Sequence, residues 1–151
     1  MQLNGVLQIS VPPAHVAKAL ERPEVLRQLL PGEARVERTS VGLYSFTMKK
    51  TLGFLELRQG GTIRLMPSDH GVTLVVRAAH RIGGAADLSV LIGLAAAAQN
   101  SGTEIAYDGT MEATGLAGRL LRDREAQVRP YIAKVFDRMK AQIESASLLG
   151  R

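Results

Sequence analysis

The sequence predicts an α+β fold: a curved antiparallel sheet of about seven strands wrapped around one long C-terminal helix, with two short helices after strand 1. Three observations carry this reading. Apolar residues recur with a period of two between residues 33 and 113. From Gly115 onward the period lengthens to that of a helix. Between the first strand and the rest lie two short segments, each begun by proline. An antiparallel sheet with one apolar face must cover it, and only the last segment is long enough to do so.

The opening strand sets Leu3, Gly5, Leu7 and Ile9 on one face and Gln2, Asn4 and Gln8 on the other. Ser10 and Pro12-Pro13 stop it. Proline is tolerated in a first helical turn, so short helices are expected over residues 14–20 and, after Pro23, over 24–30, where Pro31-Gly32 closes the pair. The meander follows. Tyr44, Phe46 and Met48 alternate with Ser45, Thr47 and Lys49, and Leu55, Leu57, Ile63 and Leu65 with Glu56, Arg58, Thr62 and Arg64. Val72, Leu74, Val76 and Ala78 share a face with His80. Leu88, Val90 and Ile92 make the next run, then Ile105, Tyr107 and Met111 opposite Glu104, Asp108 and Glu112. Turn residues separate these runs at 40–42, 67–71, 83–84 and 99–102. Gly60-Gly61 and Gly83-Gly84 read as bulges that bend the sheet. The alanines at 95–98 fit either the end of a strand or a short helix.

In the last segment Leu121, Val128, Ile132, Val135, Met139 and Ile143 form one stripe, bordered by Leu120, Tyr131 and Phe136. Pro130 lacks an N–H and crowds the carbonyl of Ala126, so a kink is expected there. The pattern ends near Ser145. That predicts a single domain over residues 1–146 and a frayed tail over 147–151.

Composition narrows the function. A chain of 151 residues, 46% hydrophobic and 22% charged, suits one globular domain. The absence of cysteine excludes disulfides, zinc–thiolate sites, iron–sulfur ligation and a cysteine nucleophile, and favours a reducing compartment. The net charge of +5 allows an anionic partner. Nucleic acid is not expected, because stacking needs exposed aromatics and these are only 4% of the chain, with no tryptophan. No signal peptide is visible, and the most apolar stretch, residues 88–98, has about half the length of a membrane span. A cytoplasmic location is expected, with at most peripheral contact at the inner face of the membrane. Neither HExxH, a P-loop, a dinucleotide loop nor a metal-spaced cluster of histidines and carboxylates occurs, so neither a metal nor a cofactor is expected.

A straight helix cannot touch a concave sheet everywhere, and the gap left between them is a natural ligand cavity. Its expected lining is Phe46, Met48, Leu57, Leu74, Val76, Met111, Val128, Ile132 and Phe136, each equally at home in a packed core. Met48 and Met111 rank first, because methionine adapts to irregular apolar ligands. Tyr44 and Tyr107 offer an apolar body with one polar handle, or are core residues bonded to backbone. His80 shares the apolar phase of its strand. Either it meets a ligand carbonyl as a neutral imidazole or it is a hydrogen-bonded histidine at the sheet's end. Arg124, near the helix stripe, either pairs with an anionic head group or lays its stem on apolar surface. His15 and His70 read as solvated.

This order of elements resembles the helix-grip fold of the START-like, or SRPBCC, superfamily, and within it the carbon monoxide dehydrogenase G-subunit family. The resemblance rests on the opening "MQLNGVLQISVPPAHVAKAL", on "PEVLRQLLPG", on "TLGFLELRQGGTIRL" and the later Gly83-Gly84 turn, and on "GTEIAYDGTMEATGLAGRLL" running into the helix. It implies an accessory role beside a molybdenum hydroxylase of the CO dehydrogenase type, docking that enzyme at the membrane and handling an apolar quinone. Longer members carry a linker and a hydrophobic tail. The sequence ends at Arg151 without either, so a cavity rather than an anchor is the inherited feature expected here. The leading expectation is a non-catalytic carrier of a quinone- or lipid-like molecule. The alternatives are a docking module acting through Arg119, Arg122 and Arg129, or a cyclase- or aromatase-like enzyme using His80 and Tyr107.

Overall fold

The computed structural model describes residues 2–30, 33–52, 55–80, 84–96, 102–113 and 125–149. The chain opens on β1 (Gln2–Ile9), then forms α1 (Pro13–Ala19), α2 (Pro23–Leu26) and a 3-10 turn (Arg27–Leu29). Six strands follow: β2 (Glu33–Ser40), β3 (Leu43–Leu52), β4 (Leu55–Ser68), β5 (Gly71–His80), β6 (Gly84–Ala96) and β7 (Thr103–Ala113). The C-terminal helix α3 spans Glu125–Leu149. All seven strands join one antiparallel sheet in the order β1-β7-β6-β5-β4-β3-β2. Consecutive strands pair along the meander, and only β1 leaves that pattern by pairing with β7.

Local chemistry accounts for the short helices. Pro13 opens α1 and Pro23 opens α2, and with no capping side chain the Pro12 carbonyl accepts from the N–H groups of His15 at 3.0 Å and Val16 at 3.1 Å. Val16, Ala19, Leu20, Val25, Leu26 and Leu30 turn their side chains into the core. The β2–β3 hairpin closes on Val41-Gly42, where Gly42 adopts a φ of 71° that a side chain disfavours.

Three expectations change. Gly60 and Gly61 do not form a bulge: they keep regular register with Thr47 and Phe46 on one side and with Ala79 and Ala78 on the other. The register shift among the described pairs falls instead between Arg38 and Ser40. Gly61 is required by packing, since a Cβ there would run into the Arg77 carbonyl oxygen and the Phe46 ring. The alanine run is strand as far as Ala96, with 97–98 outside the described residues, as is Gly83. Helix α3 continues past Ser145 to Leu149, because no glycine or proline interrupts the sequence before Gly150. Its predicted beginning near Gly115 lies outside the described residues.

One core fills the concave side of the sheet. Ile132, Val135, Phe136, Met139 and Ile143 supply the buried stripe of α3, which packs mainly against β1, α1, α2 and the 3-10 turn. The segment after β1 is tied twice. Thr103 donates its hydroxyl to the Val11 carbonyl at 2.6 Å, and the Glu144 carboxylate accepts from the Ser10 N–H and hydroxyl.

The two adjacent glycines give a paired prediction. Gly61→Ala is expected to lower stability in urea denaturation by about 1–3 kcal/mol, the range for overpacking against backbone that cannot yield. Gly60→Ala, whose Cβ would meet only the Phe46 carbonyl oxygen at 3.6 Å, is expected to leave the midpoint near that of the native protein.

Candidate functional site

The register groups concave-face side chains into rows that cross the strands. Tyr44, Ile63 and Val76 form one row, Phe46, Gly61 and Ala78 the next, and Ala34, Met48 and Gln59 the one beyond. The first row is fully or nearly buried, whereas Ala34, Met48 and Gln59 are only half-buried. A cavity of about 750 Å³ opens at this third row, lined by Glu33, Ala34 and Arg35 of β2, Thr47, Met48 and Lys49 of β3, and Gln59 and Gly60 of β4. A cleft of about 370 Å³ shares Glu33 and Ala34 with it and adds Arg27, Gln28, Leu30 and Arg138. A separate cavity of about 230 Å³ lies near β1, lined by Gln2, Leu3, Asn4, Tyr107 and Ile132.

The predicted site residues divide between these places. Met48 lines the large cavity, and Phe46 stands one row deeper with its ring over Gly61. Tyr107 and Ile132 line the small cavity, and the Tyr107 ring stacks on Phe136 with centroids 3.9 Å apart and planes 3° from parallel. Leu74 and Val76 are buried in the core, and half-buried Met111 packs against it. Tyr44 is buried with its hydroxyl donating to the Glu21 carbonyl at 2.5 Å, so that handle already holds the α1–α2 connection. The side chains of Leu57, His80 and Val128 lie outside the described residues, as do Arg119, Arg122 and Arg124 altogether and the side chain of Arg129.

Two residues escaped the sequence reading. Gln59 shares the alternation phase of Ile63 and Leu65, and a polar residue in an apolar phase was the available signal. Arg138 stands 5.8 Å from the centre of the Tyr131 ring and donates to the Gln28 carbonyl at 3.4 Å, which needed the helix to be docked before it could be seen.

Electrostatics here concerns two phenols. Burial pushes the Tyr44 hydroxyl above the usual tyrosine value; nearby Arg38 opposes this and Glu21 adds to it. Burial likewise raises Tyr107, with Asp137 adding to the effect. Both stay neutral hydrogen-bonding groups at physiological pH. No group of His, Asp and Glu among the described residues is placed to hold a metal ion, and no helix among them is long and apolar enough to cross a membrane.

A sequence profile described as that of the carbon monoxide dehydrogenase G-subunit (CoxG) matches residues 5–144. No curated protein is similar enough in sequence to match. Among solved structures, a conserved protein from Geobacillus kaustophilus superposes with a TM-score of 0.73 at 16% identity, covering 97% of each chain. A STAR-related lipid transfer protein fragment from Xanthomonas axonopodis gives 0.61 at 11% identity, covering 93% of this chain and 84% of that one. The di-domain ARO/CYC protein BexL of the BE-7585A biosynthetic pathway gives 0.57 at 12% identity, covering 96% of this chain and 49% of that one. At these identities the likeness establishes the fold, which is START-like helix-grip.

The raised phenols predict an alkaline limit. A folded-state pKa above the unfolded value favours the neutral phenol, so its contribution to stability is complete below about pH 10 and is lost as pH rises through the folded value. Urea midpoints are expected to fall above about pH 10. Tyr44→Phe should flatten that fall. At neutral pH the same change should cost about 1 kcal/mol, because it leaves the Glu21 carbonyl without its partner.

Proposed function

The chain belongs to the carbon monoxide dehydrogenase G-subunit (CoxG) family, and from that premise we propose that it is a non-catalytic carrier of an apolar small molecule. The molecule is quinone- or lipid-like, and the carrier serves a molybdenum hydroxylase of the CO dehydrogenase type. The observation that carries this reading is the cavity of about 750 Å³ at the Ala34–Met48–Gln59 row, within the volume range of small-molecule sites. Its lining joins the apolar side chains of Ala34 and Met48 to the polar Thr47 and Gln59 and the charged Glu33, Arg35 and Lys49. Such a site suits an apolar body with a modest polar end.

Apolar transfer supplies the affinity. A ligand that removes about 300 Å² of apolar surface from water gains about 7 kcal/mol before the costs of ordering, so apolar burial of that size gives binding no tighter than micromolar and ready release. Release suits a carrier. The quinone and the molybdenum hydroxylase come from the family, and what supports them here is the compatibility of the cavity with an apolar ring and chain.

Organic extraction of the purified protein, followed by mass spectrometry and comparison of native with denatured mass, is the direct test. A near-stoichiometric quinone or lipid is expected; an empty protein that also refuses added quinone and lipid would sink the proposal. Met48→Lys, which sets a charge on the cavity floor at a half-buried position, is expected to weaken uptake by about tenfold or more. Its denaturation midpoint should stay close to that of the native protein.

A further inference from the structure

We infer that Gln59 reads the head group of the carried molecule by donating its amide N–H to a carbonyl oxygen; this rests on the carrier reading above. The phase of β4 sets where the amide stands. Ile63 and Leu65 are buried, and a Cβ on Gly61 would strike the Phe46 ring, so the odd positions of this strand face the concave side. Gln59 is the next such position toward the strand's start, paired with Met48, which is itself paired with Ala34. An amide therefore stands in a row whose other members are apolar, at the wall of the large cavity.

That amide makes no hydrogen bond to any described residue. Tyr44 and Thr103, the comparable polar side chains of the concave face, each bond to a backbone carbonyl. A half-buried amide without a partner among the described residues turns to water, and a ligand oxygen that replaces the water keeps the bond. The primary amide offers two donors and one acceptor. Ala34 and Met48 bring no hydrogen-bond donor to this row, so a ligand carbonyl oxygen there has the amide N–H as its donor. Methionine and alanine beside the amide leave room for a flat apolar ring. The class that fits is a carbonyl-bearing ring or chain, with the carbonyl at Gln59.

The test uses a matched pair of probes, 2-methyl-1,4-naphthoquinone and 2-methylnaphthalene, which share a carbon skeleton and differ in the two carbonyls. Because the chain has no cysteine, the quinone cannot be captured by a thiol. Affinities are measured for the native protein, Gln59→Met and Gln59→Glu. Gln59→Met keeps the length of the side chain and removes its donors; Gln59→Glu keeps an acceptor only. Both are expected to weaken quinone binding about fivefold or more, the effect of one lost hydrogen bond. Gln59→Met should leave 2-methylnaphthalene within about twofold of the native value, since only packing holds it. Equal losses for both probes, or no loss for either, overturn the inference, as does quinone binding that Gln59→Glu preserves. A native protein that takes up neither probe overturns the carrier reading itself and this inference with it. Circular dichroism and urea midpoints of both variants are expected to match the native protein, which separates a lost contact from a lost fold.

Discussion

The first two strands, neighbours in the chain, lie at opposite edges of a seven-stranded sheet, and the connection between them must travel across its concave mouth. At about 4.8 Å between strands, the path along the sheet is about 29 Å. Residues 10–30 travel along it as α1, α2 and the 3-10 turn rather than as a loose loop. Their apolar side chains complete the core, and their backbone is held at intervals. The β7 residue Thr103 and the α3 residue Glu144 fix the start, and Tyr44 on β3 fixes the middle through the Glu21 carbonyl. Helix α3 then docks on this bridge and on β1. Remove the crossing and the last helix loses much of the surface it packs against.

Two aromatic–glycine pairs show how one device leaves a cavity of about 230 Å³ at one end of the concave face and one of about 750 Å³ at the other. Tyr107 pairs directly with Gly5 and Phe46 with Gly61, and in both cases the ring occupies the space of the missing side chain. Near β1 the pair is extended by Phe136, whose ring lies parallel to that of Tyr107 and seats α3 against the sheet. At the β3–β4 end no aromatic ring of α3 is seen on Phe46 among the described residues. The row beyond Phe46 is where the large cavity opens. The end braced by stacked rings keeps the smaller space, and the other end has the larger one.

The chemistry proposed for the open end is that of binding and release. In the proposed reading the Gln59 amide supplies direction, and the exposed charges of Glu33 and Arg35 are screened by water. The two phenols with raised pKa values are assigned elsewhere, Tyr44 to the bridge and Tyr107 to the helix seat, and both remain neutral in the working range of pH. In this reading stability and ligand recognition fall to different residues on the same face.

Much of this was legible in the sequence, because it depends on local periodicity. Alternation marked the strands, Pro13 and Pro23 marked the two short helices, and a change of period marked α3, so element order and family followed from the chain alone. Met48 was placed on the right face by phase. Residue types that serve equally as core or as cavity were not separable in this way. Tyr44, Phe46 and Met48 share one strand face, yet only the sheet's register and the position of α3 decide that the first is an anchor, the second a core ring and the third a cavity wall. Gly60 and Gly61 looked alike in sequence and differ because the Phe46 ring and the Arg77 carbonyl crowd one of them. Gln59 stood out of phase in polarity but had no meaning until its neighbours across the strands were known. Periodicity is a property of one segment at a time, and so the sequence by itself determined the elements and their faces. Which part of the concave face stays uncovered depends on contacts between segments far apart in the chain, and only the tertiary structure decided that.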